Sequence, residues 1–288
     1  FLMRPLFLIQ AILLCAGIMK AGAPVDSVPP YRPVTSAYSI GIGSSHLCNT
    51  YLTPLHYDGW GAEFRYERMQ AMGFDPERWI MQLDGQLKFD NTRNPAHNAT
   101  LTSLTLRLDW GMMYRFRVPH ADGLQLFGGA YTAIEGGGLL LARNGNNPAQ
   151  AQAAWTVGIT AMGVYGHRIG RLPVTWRYQA KMPLTGAFFS PDYGELYYEI
   201  YLGNHSGLAH AAWPGNYFRL DNLLTADLHL GNTVLRLGYA CDIFSSKTNN
   251  IVSRDIAHRF IIGITTEWIT LGRSRGIDSH ARIISAIY

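Results

Sequence analysis

Between Leu104 and Val118 every second residue is apolar or aromatic: Leu104, Leu106, Leu108, Trp110, Met112, Tyr114, Phe116 and Val118. The positions between them hold Thr105, Arg107, Asp109, Gly111, Met113, Arg115 and Arg117. A helix would scatter those charges around its circumference, so this period of two specifies a strand with one greasy and one polar face. At about 3.3 Å per residue and a tilt of roughly 40°, such a strand climbs about 35 Å, enough for a hydrocarbon core and both interfaces. Soluble sandwiches are built from shorter strands.

The pattern recurs along the chain. Trp79, Met81, Leu83, Gly85, Leu87 and Phe89 oppose Gln82, Asp84, Gln86, Lys88 and Asp90. Val174, Trp176, Tyr178, Ala180 and Met182 alternate with Thr175, Arg177, Gln179 and Lys181, and Leu224, Ala226, Leu228 and Leu230 with Thr225, Asp227 and His229. Trp60, Ala62, Phe64 and Tyr66 alternate with Glu63, Arg65 and Glu67. Phe260, Ile262, Ile264, Thr266 and Trp268 form a last strand with Glu267 opposite. Such runs indicate a closed sheet, apolar outside and polar inside: an all-β, antiparallel transmembrane barrel of the bacterial outer membrane, in contact with its lipid. Composition agrees, since charged residues make up 15% of the chain against about 25% in soluble domains. No stretch approaches the length of a membrane-spanning helix. A net charge of +4 without a basic run leaves no footprint for nucleic acid.

The pattern predicts ten strands, within bounds of eight and twelve, over residues 35–43, 59–69, 79–90, 102–118, 124–142, 153–169, 172–182, 217–230, 233–245 and 258–271. Tight turns fall at Pro119–Gly123, Gly170-Arg171 and Gly231-Asn232, with a medium one at Gln70–Arg78. Longer polar or Gly/Pro-rich loops fall at 44–58, 91–101, 143–152, 183–216 and 246–257. Long and short connections alternate, which puts both chain ends in the periplasm.

Ahead of the barrel, Met3-Arg4, the apolar run Leu6 to Ile18 and Ala21-Gly22-Ala23 read as a signal peptide over residues 1–23. Residues 24–34 form a periplasmic linker, 35–271 the barrel and 272–288 a tail of unassigned role. Lipid attachment at Cys15 is opposed by Leu14, where a small residue is wanted. Cys48 and Cys241 read as two unrelated residues rather than a bridge. Trp268 and Tyr288 each offer an aromatic strand end, and pairing by residues 281–288 would add a strand or extend an edge.

Several segments carry a resemblance. They are Ser39-Ile-Gly-Ile-Gly43, Asn49-Thr-Tyr-Leu-Thr-Pro-Leu55 with His56-Tyr57, and Asn146-Asn-Pro-Ala-Gln-Ala-Gln-Ala153. Further on come Pro183-Leu-Thr-Gly-Ala-Phe-Phe-Ser-Pro-Asp-Tyr-Gly-Glu-Leu-Tyr-Tyr-Glu-Ile200, Gly238-Tyr-Ala-Cys-Asp-Ile243 and Ser246-Lys-Thr-Asn-Asn250. Together, over about residues 35 to 271, the chain resembles a family of exported bacterial proteins catalogued as a domain of unknown function, number 3316. The resemblance implies the barrel and the compartment. It implies no activity and carries over no catalytic residue.

Parity places Glu63, Glu67, Asp84, Asp90, Asp109, Asp227, Asp242 and Glu267 inside, against Arg65, Lys88, Arg107, Arg115, Arg117, Arg177, Lys181 and Arg236. The two signs balance, and in a narrow barrel they should pair across the lumen and plug it. The alternative is a charged conduit for a small solute. The segment 183–216 is far longer than a turn needs. Its Phe188, Tyr193, Tyr197 and Tyr198, interleaved with Asp192, Glu195 and Glu199, suit docking of another envelope protein or binding of a surface glycan. The bland reading is that it extends the neighbouring strands and packs over the mouth.

Catalysis finds little footing. Ser44, Ser45 and His46 share a loop, as do His205 and Ser206, and His56 lies near Asp58, but exposed loops commonly hold such residues. The histidines are scattered, so no metal site and no cofactor is expected. Ser190-Pro191-Asp192 lacks the glycines of a nucleophile elbow, and Gly41-Ile-Gly43 starts no dinucleotide fingerprint. The expectation is a non-enzymatic barrel acting through its outer loops, then a narrow channel, then a lipid-modifying enzyme.

Overall fold

A computed structural model describes residues 30–119, 123–145, 147–192, 194, 197–203, 207–231, 233–268 and 282–288. The expected signal peptide lies outside them. Ten long strands follow in order: β1 (Val34–Asn49), β2 (Thr53–Ala71), β3 (Trp79–Arg93), β4 (Thr100–Arg117), β5 (Leu124–Leu140), β6 (Ala149–Ile169), β7 (Leu172–Phe189), β9 (Tyr217–Leu230), β10 (Thr233–Thr248) and β11 (Ile251–Trp268). Between β7 and β9 lie a one-turn helix α1 (Tyr197–Tyr201) and a four-residue strand β8 (Ala209–Ala212) that pairs only with the end of β7. Each long strand pairs antiparallel with its sequence neighbour, and β11 pairs with β1 to close the barrel.

Register sets the girth. A row that starts at Val34 passes through Gln70, Met81, Met112, Ala130 and Ile159 to Met182; continued one step beyond the Lys181–Asp221 pair to Leu220, it passes through Ile243 and Ile256 and arrives at His46. It has climbed from position 34 to position 46 on the same strand. Ten strands with that stagger tilt by roughly 40° and enclose a barrel roughly 20 Å across at the backbone, narrow enough for side chains to fill.

The outward face explains why the alternation was legible. Ile40, Ile42, Leu104, Leu106, Leu108, Ile159 and Ile262 are all about half exposed, as lipid-facing residues must be. Aromatics mark the two edges of that band. Trp79, Tyr114, Phe116, Tyr165, Trp176 and Trp268 ring the short-turn end, and Trp60, Phe89, Trp155 and Phe218 ring the other. Trp155 and Tyr165 sit on one strand, ten positions apart, a rise of about 25 Å at that tilt and the height of an outer-membrane apolar band.

The strands run longer than the pattern suggested. β1 and β2 continue to Asn49 and from Thr53, so the expected loop 44–58 shrinks to a turn at 50–52. Asn249 and Asn250, both at positive φ, close a tight hairpin where the loop 246–257 was expected. Likewise 91–101 shrinks to 94–99, and β7 extends through Phe189. Above the outer aromatic ring both faces of a strand meet polar surroundings, so the period-two signal ends before the strand does. Cys48 and Cys241 are free thiols on strands separated by β11.

A charge placed on the lipid face should be costly at mid-band and cheap at its edge. Ile262→Arg should lose about 2–4 kcal/mol and Ile256→Arg, near the outer ring, about 0–1, in urea titrations of the barrel in lipid vesicles.

Candidate functional site

The inward positions stack into a column of ion pairs. At its lower, short-turn end Glu67 on β2 takes Arg177 of β7 at 2.6 Å and Arg236 of β10 at 2.8 Å, and Arg236 forks onto Asp227 at 2.7 Å. β2 and β7 are diametrically opposed in the ten-strand ring, so these bonds cross the lumen. One level up, Lys181 reaches Asp84 at 2.9 Å and Asp109 at 3.0 Å, Arg65 binds Glu63 at 2.7 Å, and Gln82 and Gln179 exchange hydrogen bonds. Above them Arg107 joins Asp109 and Asp221, both at 2.7 Å, and Lys88 pairs with Asp242 across the barrel. Arg259 meets Asp90 at 2.5 Å and Arg219 meets Glu135 at 2.8 Å at the top. All of these groups lie within the bilayer's height and nearly all are buried. Gly61 keeps room for the topmost cluster, because a Cβ there would collide with the Asp90 carboxylate and the Ser45 hydroxyl.

Apolar layers close the column at both ends. Leu47, Tyr51, Leu52, Tyr57, Leu101, Leu139, Leu141 and Ile251 form the outer lid, and Tyr197 of α1 packs edge-on against Tyr51. The Ala151 N–H donates to the Tyr197 hydroxyl at 2.6 Å, and burial pushes that phenol's pKa up despite the bond. Between lid and charges lies a small cavity of about 20 Å³ lined in part by Lys88, Asp90, Arg107, Glu135, Arg219 and Asp255. At the lower end Met69, Ile80, Met113, Phe127, Met162 and Val164 surround Ala286 and Ile287 of the tail segment 282–288.

That tail fills the mouth. Tyr31 and Ile283 make a parallel bridge, with the Tyr31 N–H donating to the Arg282 carbonyl at 2.8 Å and the Ile284 N–H to the Tyr31 carbonyl at 2.9 Å. Residues 282–288 thus add neither a barrel strand nor an edge; they turn inward. Arg115 and Glu267, two members of the expected lumen network, stand here rather than in the column. Arg115 Nη2 donates to the Ser285 and Ala286 carbonyls at 2.9 and 2.7 Å, and Glu267 accepts from Ser285 at 2.6 Å and from Thr35 at 3.0 Å. The Tyr288 hydroxyl donates to Asp227 at 2.6 Å, and burial together with that neighbouring carboxylate holds the phenol protonated well above its ordinary range. The side chain of Arg117 lies outside the described residues.

The other expected members, Glu63, Arg65, Glu67, Asp84, Lys88, Arg107, Asp109, Arg177, Lys181, Asp227 and Arg236, meet in the one column. Sequence reading missed Arg219, Asp221, Arg259 and Glu135. The first three continue the inward parity of β9 and β11 beyond the stretch where apolar partners made it visible. Glu135 sits in a glycine-rich strand with no alternation to follow.

The segment 183–216 divides. Phe188 is buried with Tyr217 and Phe244 on the inner wall, while α1 lays Tyr197 over the mouth and points Tyr198, Tyr201 and Leu202 outward. Tyr201 is 84% exposed, and the spacing 198, 201, 202 puts all three on one helical face. Asp192 and Glu199 are exposed. Tyr193, Glu195, His205 and Ser206 lie outside the described residues. Ser45 faces the lumen, donating to Asp90 at 2.5 Å, whereas His46 faces out and pairs with Asp58 at 2.6 Å, so the strand holds the two apart. Among the described residues no group of His, Cys, Asp or Glu is placed to hold a metal ion.

Comparison with known proteins gives the following. The family described as "Protein of unknown function (DUF3316)" matches residues 6–275. No curated protein matches the sequence. Among solved structures, the outer membrane protease OmpT from Escherichia coli is similar, with a TM-score of 0.46 and 9% identity, covering 85% of this chain and 99% of that one. The translocator domain of autotransporter NalP from Neisseria meningitidis gives 0.35 and 9%, with coverage of 90% and 95%. A Pseudomonas aeruginosa FadL homologue gives 0.31 and 8%, with 84% and 91%.

Breaking the column should cost far more than removing a whole pair. Glu67→Gln, which leaves the Arg177 guanidinium without its paired carboxylate and Arg236 with Asp227 alone, should lose about 3–5 kcal/mol in the same urea titration. Lys88→Leu should be strongly destabilising alone, and adding Asp242→Leu should restore most of the loss.

Proposed function

The chain belongs to the family described as Protein of unknown function, DUF3316, and on that premise we propose that it is a non-conducting outer-membrane barrel that docks another envelope protein or a surface glycan through its external rim. The observation that carries this reading is the outward face of α1. Tyr198, Tyr201 and Leu202 stand in water beyond the outer aromatic ring, on a turn fastened below by Tyr197. Tyrosines have few rotatable bonds and lose little entropy on binding, which suits them as interface anchors. Exposed Asp192 and Glu199 supply a polar rim beside them.

The sidedness is part of the proposal. The short connections between β6 and β7 and between β9 and β10 lie at the same end as Tyr31 and the tail, which supports a periplasmic location for both termini. The channel alternative requires the cross-lumen pairs to part, and those pairs together with the two apolar layers argue against a resident water path.

Two measurements test the reading. In planar bilayers the purified barrel should pass no unit current; steady single-channel conductance would replace docking with the solute conduit. Affinity capture from native outer membranes, alongside a glycan array, should return a stoichiometric partner or glycan that the pair Tyr198→Ser and Tyr201→Ser loses, with the heat-modifiable gel shift of the barrel intact. Capture of nothing in either format would sink the docking reading.

A further inference from the structure

We propose that the short-turn mouth of the barrel is a binding site for an extended peptide segment, and that residues 282–288 are its intramolecular occupant. With the sidedness proposed above it would face the periplasm, although the site itself does not depend on that.

The contacts are those of a recognition site rather than of a loose end. Recognition of the occupant's backbone comes from two sources. Tyr31 pairs as a short strand with residues 282–284, and the Arg115 guanidinium is spent on two successive carbonyls instead of a carboxylate. Such bonds accept any extended chain. Selectivity comes from the floor: Ala286 is 0% exposed, Ile287 enters the Met and Phe layer, and the Tyr288 hydroxyl donates to Asp227. The chemistry that fits is therefore an extended segment with a small residue, then an aliphatic one, then a tyrosine.

The occupant does not exhaust the site. A groove of about 540 Å³ runs beside it, between Arg78, Tyr114 and Phe116 on one wall and Ile283 and Ser285 on the other. Arg115 Nε is buried there without a hydrogen-bond partner. The mouth thus offers a donor and volume that its own tail leaves unused, and a chain arriving from another protein could take more of both. The tethered tail competes at an effective concentration in the millimolar range, so the free site is held closed until a better-fitting chain displaces it.

The test uses the full chain in detergent micelles and a fluorescein-labelled heptapeptide of the sequence from Arg282 to Tyr288. Ile287→Asp and, separately, Ala286→Trp eject the resident tail by putting a charge or excess bulk into the apolar layer. Both should bind the peptide saturably, at least about tenfold tighter than the unaltered chain does. Adding Arg115→Met should abolish binding, and a peptide carrying Tyr288→Ser should bind at least about tenfold more weakly. A retained heat-modifiable shift reports that each variant is folded. Two results would overturn the proposal: no binding to either folded, tail-displaced chain, or binding that is indifferent to Arg115→Met.

Discussion

A charge buried at the height of a bilayer must find a partner of opposite sign, and the interior of this barrel is arranged around that demand. The idealised cost of moving one ion from water into a medium of low dielectric is of order 20 kcal/mol, and several kcal/mol remain after relaxation. Glu67 faces two guanidiniums, and Lys181 bridges two carboxylates. Ten strands give a lumen that Arg and Lys can span from one wall to a carboxylate on the far wall, so girth and side-chain length fit each other. A wider ring would leave the same groups wet and unpaired, and a narrower one would have no room for them.

The apolar layers at the two ends follow from the same demand. Water entering from either side would loosen the pairs by raising the local dielectric. The outer lid is made largely by hairpin ends, with Tyr51, Leu52, Leu141 and Ile251 converging under Tyr197. The lower seal is made by a segment that arrives after the last strand is finished, Ala286 to Tyr288. One rim is therefore built into the sheet and the other is added to it, which is why the lower one can also serve as a site.

The barrel was readable from residues such as Leu104 to Val118 because lipid on one side and ion pairs on the other impose a contrast at every step. The column was readable for the same reason wherever an apolar neighbour fixed the parity, as at Arg177 and Lys181. Where the outward contrast fades, as near Arg219, Arg259 and the hairpin ends of β1 and β2, the same strand continues unmarked. The inward turn of the tail was not readable. Its fit depends on Arg115 and Glu267, whose charges read from sequence as further members of the column, and on Tyr31, far away in the chain. The outer segment was half readable: its aromatics were conspicuous, but their division between a buried wall at Phe188 and an exposed helical face at Tyr201 depends on where β7 ends.

The cross-lumen bonds also bear on how such a barrel is made. Lys88 and Asp242, Arg107 and Asp221, and Arg177 and Glu67 sit on strands far apart in the chain, so an open, partly formed sheet would leave each charge facing the membrane without its mate. Zipping β11 onto β1 is the event that brings the walls together. Neutralisation and closure are then one transition, and an assembly intermediate must keep its polar face in water until the final seam is sealed.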